Sequence, residues 1–212
     1  EKLKFMDSPA TENMSISASF GITDTTFKAS SVEELIDQAD QALYYSKDNG
    51  RNRVTLWSEV VLSEQNKELL SDEDKKNKYQ EDIIKGLQGR QSFMQVVRES
   101  ILSKDENDEL FAVLLIDIDM FKRINSSMGS VHGDTILQQF SRRLNSLVRS
   151  SDFLAQYDES AIPGSIVSRV GGNEFAILAK EFKELSNVHI IAKRLLDSLS
   201  KPYLIENTEV HL

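Results

Sequence analysis

The sequence predicts an α/β (α+β) protein in which helices flank a sheet. The stretch from Leu110 to Ile118 is almost wholly apolar and runs out at Asp117 and Asp119, which suits a strand buried on both faces. Apolar residues recur at helical spacing in residues 35–43, 93–101, 136–147 and 188–199. Gly171-Gly172-Asn173 lies between the strand-like segments 166–170 and 174–179, a hairpin signal.

Taken in order, Met14, Ile16, Ala18, Phe20 and Ile22 alternate with Ser15, Ser17, Ser19 and Gly21, predicting a period-two strand with one apolar face. Ser31 with Glu34 is a capping-box start. The helix it opens carries Leu35, Ile36, Ala39, Ala42 and Leu43, and Asn49-Gly50 stops it. Arg53 to Trp57 reads as a short strand. Residues 58–84 turn polar and mixed in charge, an exposed connector that is partly helical through Val60, Val61, Leu69 and Leu70. Phe93, Val96, Val97 and Ile101 mark the next amphipathic helix, followed by the apolar strand. Ile136, Leu137, Phe140, Leu144 and Leu147 form a helical stripe, and residues 157–165 with Pro163-Gly164 read as loop. After the hairpin, Val188, Ile191, Ala192, Leu195 and Leu199 give the last helix. Residues 203–205 and 209–212 read as a second, truncated hairpin that resembles the strand–turn–strand pattern of the first fifteen or so residues.

Composition removes several functions. A net charge of -9 argues against holding a nucleic-acid polymer on a broadly basic surface. A small anionic ligand needs only a few local Lys and Arg. With no Cys there is neither a disulfide framework nor a thiolate metal site, which fits a reducing, cytoplasmic setting. No apolar run reaches the roughly 18 residues of a membrane span. Glu1 to Lys4 look like neither a start nor a signal peptide, so the chain reads as a piece of a longer protein whose anchors and sensors lie elsewhere.

The residues able to do chemistry cluster in short motifs. Asp117 and Asp119, two apart on an extended segment, present both carboxylates to one side. Hard cations such as Mg²⁺ take oxygen ligands of this kind together with substrate phosphates. A strand end meeting solvent also favours Asp, so the pair alone leaves both readings open. The two glycines of the hairpin permit positive φ and close approach of a ligand, or simply make a tight turn. Glu174 opens the return strand and would come near Asp117. Lys47 and Arg51, at a helix end and its turn, suit either a helix C-terminus or a phosphate clamp.

Taken together, "DIDMFKRIN", Gly133-Asp134, "RVGGNEF" and "ADQALYYSKDNGRNRV" resemble the landmarks of the GGDEF family of cyclic-di-GMP signalling domains. The resemblance covers nearly the whole chain except the connector. It implies a cyclase-like palm, a central mostly antiparallel sheet wrapped by helices. It also implies binding of GTP with Mg²⁺, and joining of two GTP molecules into cyclic-di-GMP between two domains that meet head to tail. By this resemblance Asp117 and the Ile118 carbonyl are metal ligands, with Glu174 a third. Asp119 and Glu174 are catalytic carboxylates, together with Asn173 at the signature acid position. Asn125 and Asp134 read the guanine edge. Phe121, Lys122 and Arg169 belong to the nucleotide site, and Lys47 and Arg51 hold the terminal phosphates. Arg149 and Asp152 match an inhibitory RxxD pattern for the cyclic product, although about a dozen extra residues separate them from Arg169.

Several positions depart from the family. Asn173 replaces the signature acid and is far weaker toward Mg²⁺ than a carboxylate. Ser126 stands where Asp is usual and Ser130 where His is usual, with His132 nearby as a partly exposed loop residue. The order of the pieces is also unusual, because the "ALYYSKDNGRN" segment that normally comes last comes first here. A tandem parent protein explains this. Residues 1–57 would be the tail of one GGDEF domain, 58–82 a connector, and 83–212 the front of the next. The two parts could join as a circularly permuted domain in one chain or exchange between chains. A strand from residues 14–57 detached from the Asp117 strand would refute that idea.

The expected function is therefore a GGDEF domain that binds GTP or cyclic-di-GMP and has weak or absent cyclase activity. The alternatives are an active diguanylate cyclase and a non-catalytic dimerisation or regulatory module. Expected partners are a second copy, as homodimer or swapped dimer, and other GGDEF or phosphodiesterase domains of the parent.

Overall fold

The computed structural model describes residues 17–27, 29–64, 87–102, 110–149, 165–182, 185–205 and 208–210. In chain order the elements are β1 (Ala18–Asp24), α1 (Val32–Asp48), β2 (Val54–Leu56), α2 (Trp57–Glu64), β3 (Gln88–Gly89) and α3 (Arg90–Leu102). Then come β4 (Leu110–Ile118), α4 (Phe121–Met128), α5 (Ser130–Arg149), β5 (Ile166–Arg169), β6 (Glu174–Phe182), α6 (Leu185–Leu199), β7 (Tyr203–Ile205) and β8 (Thr208–Val210). The main sheet has the order β2-β1-β4-β6-β5-β3, and β7-β8 form a separate hairpin.

The centre of the sheet is antiparallel. β4 pairs with β1 on one side, from Ala18 opposite Ile118 to Asp24 opposite Ala112, and with β6 on the other. The strand from the N-terminal segment is therefore joined to the Asp117 strand along its whole length. The outer pairs, β1 with β2 and β5 with β3, are parallel.

Period-two alternation along β4 sends its residues to two cores. Leu114, Ile116 and Ile118 pack with Ile124, Ile136, Phe140, Val188 and Ala192 of α4, α5 and α6. Phe111, Val113 and Leu115 pack with Leu35, Ala39, Leu43, Phe93 and Val97 of α1 and α3. The sheet is thus covered on both faces, which is why residues 110–118 are so uniformly apolar.

β1 departs from the half-exposed strand its alternation suggested, because all seven of its residues are buried. Its small residues serve packing. A Cβ on Gly21 would lie 2.2 Å from both the Ala39 carbonyl oxygen and the Leu43 nitrogen, so the missing side chain lets α1 lie directly on the strand. Ser19 is buried for a reason that belongs to the site. Met14 and Ile16 lie outside the described residues.

Other differences are local. Ser31 caps α1 as expected, accepting from the Glu34 amide at 3.1 Å, but the Glu34 carboxylate turns back to Ser30 rather than to Ser31. The strand read as ending at Trp57 ends at Leu56, and Trp57 opens α2, where Val60 is buried. Leu69 and Leu70 lie outside the described residues. Helix α4 was not legible, since Ile124 is the one buried residue it contributes. His132 is helical rather than in a loop, with Nδ1 2.6 Å from the Met128 carbonyl.

Candidate nucleotide site

Several of the candidate side chains gather where the ends of β4, β6 and α1 meet. Asp117 is the penultimate residue of β4, and the register puts it opposite Glu174, the first residue of β6. Facing carboxylates on adjacent antiparallel strands repel. Lys47, in the last turn of α1, reaches this point from the N-terminal segment, with Nζ 3.1 Å from Asp117 Oδ2. Burial, opposed by the Lys47 ammonium and aided by Glu174 and Asp119, pushes the Asp117 carboxyl up to about 6.

Asn173 closes the group from the hairpin. Its backbone carbonyl accepts from the Ile118 amide at 3.2 Å. Its side-chain Nδ2 donates to Asp117 Oδ2 at 2.9 Å and to the Ile118 carbonyl at 3.0 Å. The hairpin is held by Val170 and Gly171 amides donating to the Glu174 carbonyl. Neither glycine adopts positive φ. A Cβ on Gly171 would lie 2.4 Å from Glu174 Oε2, whereas Gly172 has open space. Arg169 donates from its guanidinium to the Gly172 carbonyl, so it braces the turn from inside β5.

Asp119 is turned away from this group and is 2% exposed. It accepts from Ser17 Oγ at 2.7 Å, Ser19 Oγ at 2.7 Å and the Asn52 amide at 3.1 Å, while its own amide donates to the Ser17 carbonyl. Arg51 and Asn52 take left-handed backbone, with φ 60 and 47, which turns the Asn52 amide inward and leaves Arg51 exposed. These Asp119 partners were missed in the sequence. The signal was present as Ser17 and Ser19 on one face of a strand, a face that looked like solvent.

A second group lies where α4 meets α5. Asn125 Oδ1 is buried with no hydrogen-bond partner. A Cβ on Gly133 would fall 1.8 Å from that oxygen and 3.3 Å from the Phe121 ring, so this glycine makes the close crossing. Asp134 and Lys122 are exposed. Of the two residues expected to match an inhibitory pattern, Arg149 ends α5 and Asp152 lies outside the described residues.

The chain matches the profile of the family described as diguanylate cyclase, GGDEF domain, over residues 1–53 and 80–163. That is more than half of its length. The chain belongs to the GGDEF family. The match comes in two blocks flanking the connector, and the signature from Gly171 to Phe175 lies beyond both. Among relatives, the cyclic di-GMP phosphodiesterase NbdA of Pseudomonas aeruginosa is 31% identical over 125 residues, which is 59% of this chain and 14% of NbdA. Among solved structures, the GGDEF domain of TpbB from Pseudomonas aeruginosa is 28% identical with a TM-score of 0.52, covering 62% of this chain and 70% of that one. The GGDEF domain of DgcB from Caulobacter crescentus, solved with c-di-GMP, shares the fold at 19% identity and a TM-score of 0.50, covering 64% of this chain and 72% of that one. The α/β architecture expected from the sequence is that of GGDEF domains. No helix among the described residues is long and apolar enough to cross a membrane.

Diguanylate cyclases of this family use Mg²⁺. The oxygens gathered in this GGDEF domain do not fit such an ion as they are arranged. Asp117 Oδ2 already faces an ammonium and an amide NH₂, and the Ile118 carbonyl faces the same NH₂. Among the described residues no group of three or more His, Cys, Asp or Glu could hold a metal ion.

Proposed function

We propose that this GGDEF domain binds a guanine nucleotide, GTP or cyclic-di-GMP, and turns GTP over weakly or not at all. The observation that carries the second half is the Asn173 amide, which donates to Asp117 and Ile118 where a catalytic site would need oxygen ligands. The first half is supported by family membership and by the buried, unpaired Asn125 amide oxygen beside Gly133. An unsatisfied buried polar group costs about 1–3 kcal/mol, a cost that binding sites commonly retain. Asp134, Lys122, Arg51 and Phe121 are proposed to join Asn125 in holding the nucleotide.

The order of the pieces supports a tandem parent. Residues 1–57 would come from the tail of one GGDEF domain and 83–212 from the front of the next, completing one sheet through β1 and β4. The two-block family match and the β1–β4 ladder both favour this reading. The second GTP-loaded domain that cyclisation needs would be another copy of the chain.

Incubating the purified chain with GTP and Mg²⁺ and quantifying cyclic-di-GMP tests turnover, with calorimetry for GTP and cyclic-di-GMP alongside. Nucleotide binding with little product is expected. Robust product would overturn the proposal in favour of an active cyclase using Glu174. No binding of either nucleotide would favour a regulatory module. NbdA, a phosphodiesterase by name in which the matched region is 14% of the length, makes that second reading concrete.

A further inference from the structure

The donors around Asp117 Oδ2 occupy the place a bound cation would take. An amide NH₂ has two hydrogens in one plane, and Asn173 points one at Asp117 Oδ2 and the other at the Ile118 carbonyl. The opposite orientation would set the amide oxygen against a carboxylate and a carbonyl, three acceptors with no hydrogen among them, so the acceptors dictate which way the amide faces. Lys47 adds a full positive charge 3.1 Å from the same carboxylate oxygen. Mg²⁺ holds its oxygens at about 2.0–2.1 Å and demands near-octahedral geometry. Entry would require expelling both amide hydrogens and the ammonium.

We propose that Asn173 and Lys47 form a built-in substitute for a divalent cation, closing this site to metal, and that the Asn173 amide decides the exclusion because the partly exposed Lys47 side chain can swing aside. The proposal deepens the functional reading above and rests on it only for which ligand shares the site. A carboxylate in place of the amide puts an oxygen where Nδ2 now donates. Without a cation, three oxygens then converge with only the Lys47 ammonium to offset their repulsion. With one, they become ligands. The Asn173→Asp variant is therefore a cation site made unstable by its own emptiness.

The test uses Mn²⁺ as probe on the nucleotide-free chain, followed by loss of the free-ion paramagnetic resonance signal. Wild type and Asp117→Asn should titrate alike, since neither fills the site. Asn173→Asp should bind at least about tenfold more tightly than wild type, and Asp117→Asn in that background should abolish the gain. In chelator Asn173→Asp should melt below wild type and recover with Mn²⁺, while wild-type melting stays put, because only a ligand of the folded state stabilises it. Should Asn173→Asp be unfolded in chelator, folding on Mn²⁺ addition gives the same reading. Two results overturn the proposal: wild-type Mn²⁺ binding that Asp117→Asn removes and that matches Asn173→Asp in strength, or an Asn173→Asp protein that gains no binding. GTP titrations in chelator and in Mg²⁺ separate the two claims. A chain that binds no nucleotide sinks the functional reading and leaves the Mn²⁺ result standing.

Discussion

Ser19 Oγ donates to Asp119 Oδ1 at 2.7 Å across 100 residues of chain, joining the strand of the N-terminal segment to the turn that follows β4. Ser17 and the Asn52 amide donate to the same carboxylate, so Asp119 is a knot between two segments distant in sequence. Asp119→Ala would leave two hydroxyls and an amide without their acceptor. It should cost about 2–4 kcal/mol, and Ser19→Ala about 1–2 kcal/mol, both read from urea unfolding. A residue that served chemistry alone would leave unfolding unchanged on substitution.

Gly21 should be equally intolerant for a steric reason. The Cβ of an alanine would stand 2.2 Å from backbone atoms of Ala39 and Leu43, and backbone cannot rotate away. Helix α1 would have to lift from β1, carrying Lys47 away from Asp117. Gly21→Ala should therefore destabilise by about 3 kcal/mol or more, visible as a lowered thermal midpoint. Gly172→Ala, with open space around its Cα, should leave the midpoint within experimental error.

Which parts of this were legible follows from how each is encoded. Strand β4 and helices α1, α3 and α6 announce themselves because burial imposes period and composition on their own residues. The hairpin fixes the register of β5 against β6, but Asp117 and Glu174 meet through the β4–β6 pairing, which joins residues far apart in sequence and was only one of the placements the hairpin allowed. The Asp119 knot and the Lys47–Asp117 pair were not legible, because each depends on the pairing of β1 with β4, made by residues far apart in sequence. The direction of Asn173 was hidden as well. Its identity signals a lost carboxylate, but only the positions of Asp117 Oδ2 and the Ile118 carbonyl show that the amide faces inward.

The β1–β4 ladder also predicts how the chain behaves when cut. Residues 17–64 contribute β1, an interior strand between β2 and β4, with Phe20 and Ile22 fully buried against β4 and the helices behind it. A protease site introduced between Glu64 and Leu87 should be cleaved without separating the pieces. Both fragments should co-elute from a sizing column in native buffer and part only in denaturant. Separation in native buffer would mean that the N-terminal segment is not integral to this fold.

The Asp117 carboxyl supplies a pH dependence with a definite sign. Its folded value is raised from the model-peptide carboxylate range to about 6, chiefly by burial. Above that pH the folded chain carries a buried charge that the unfolded chain exposes at less cost. As pH falls from about 6 toward 4, the folded state takes up the proton first and this contribution to stability rises, on the order of 3 kcal/mol in full. Asp117→Asn removes the titration while keeping an acceptor for Asn173. The variant should be more stable than wild type at pH 8, and the advantage should fall by roughly half by pH 5 and approach zero near pH 4, measured as paired urea unfolding curves. An advantage that stays constant from pH 8 to pH 5 would show that the Lys47 ammonium compensates the buried charge in full.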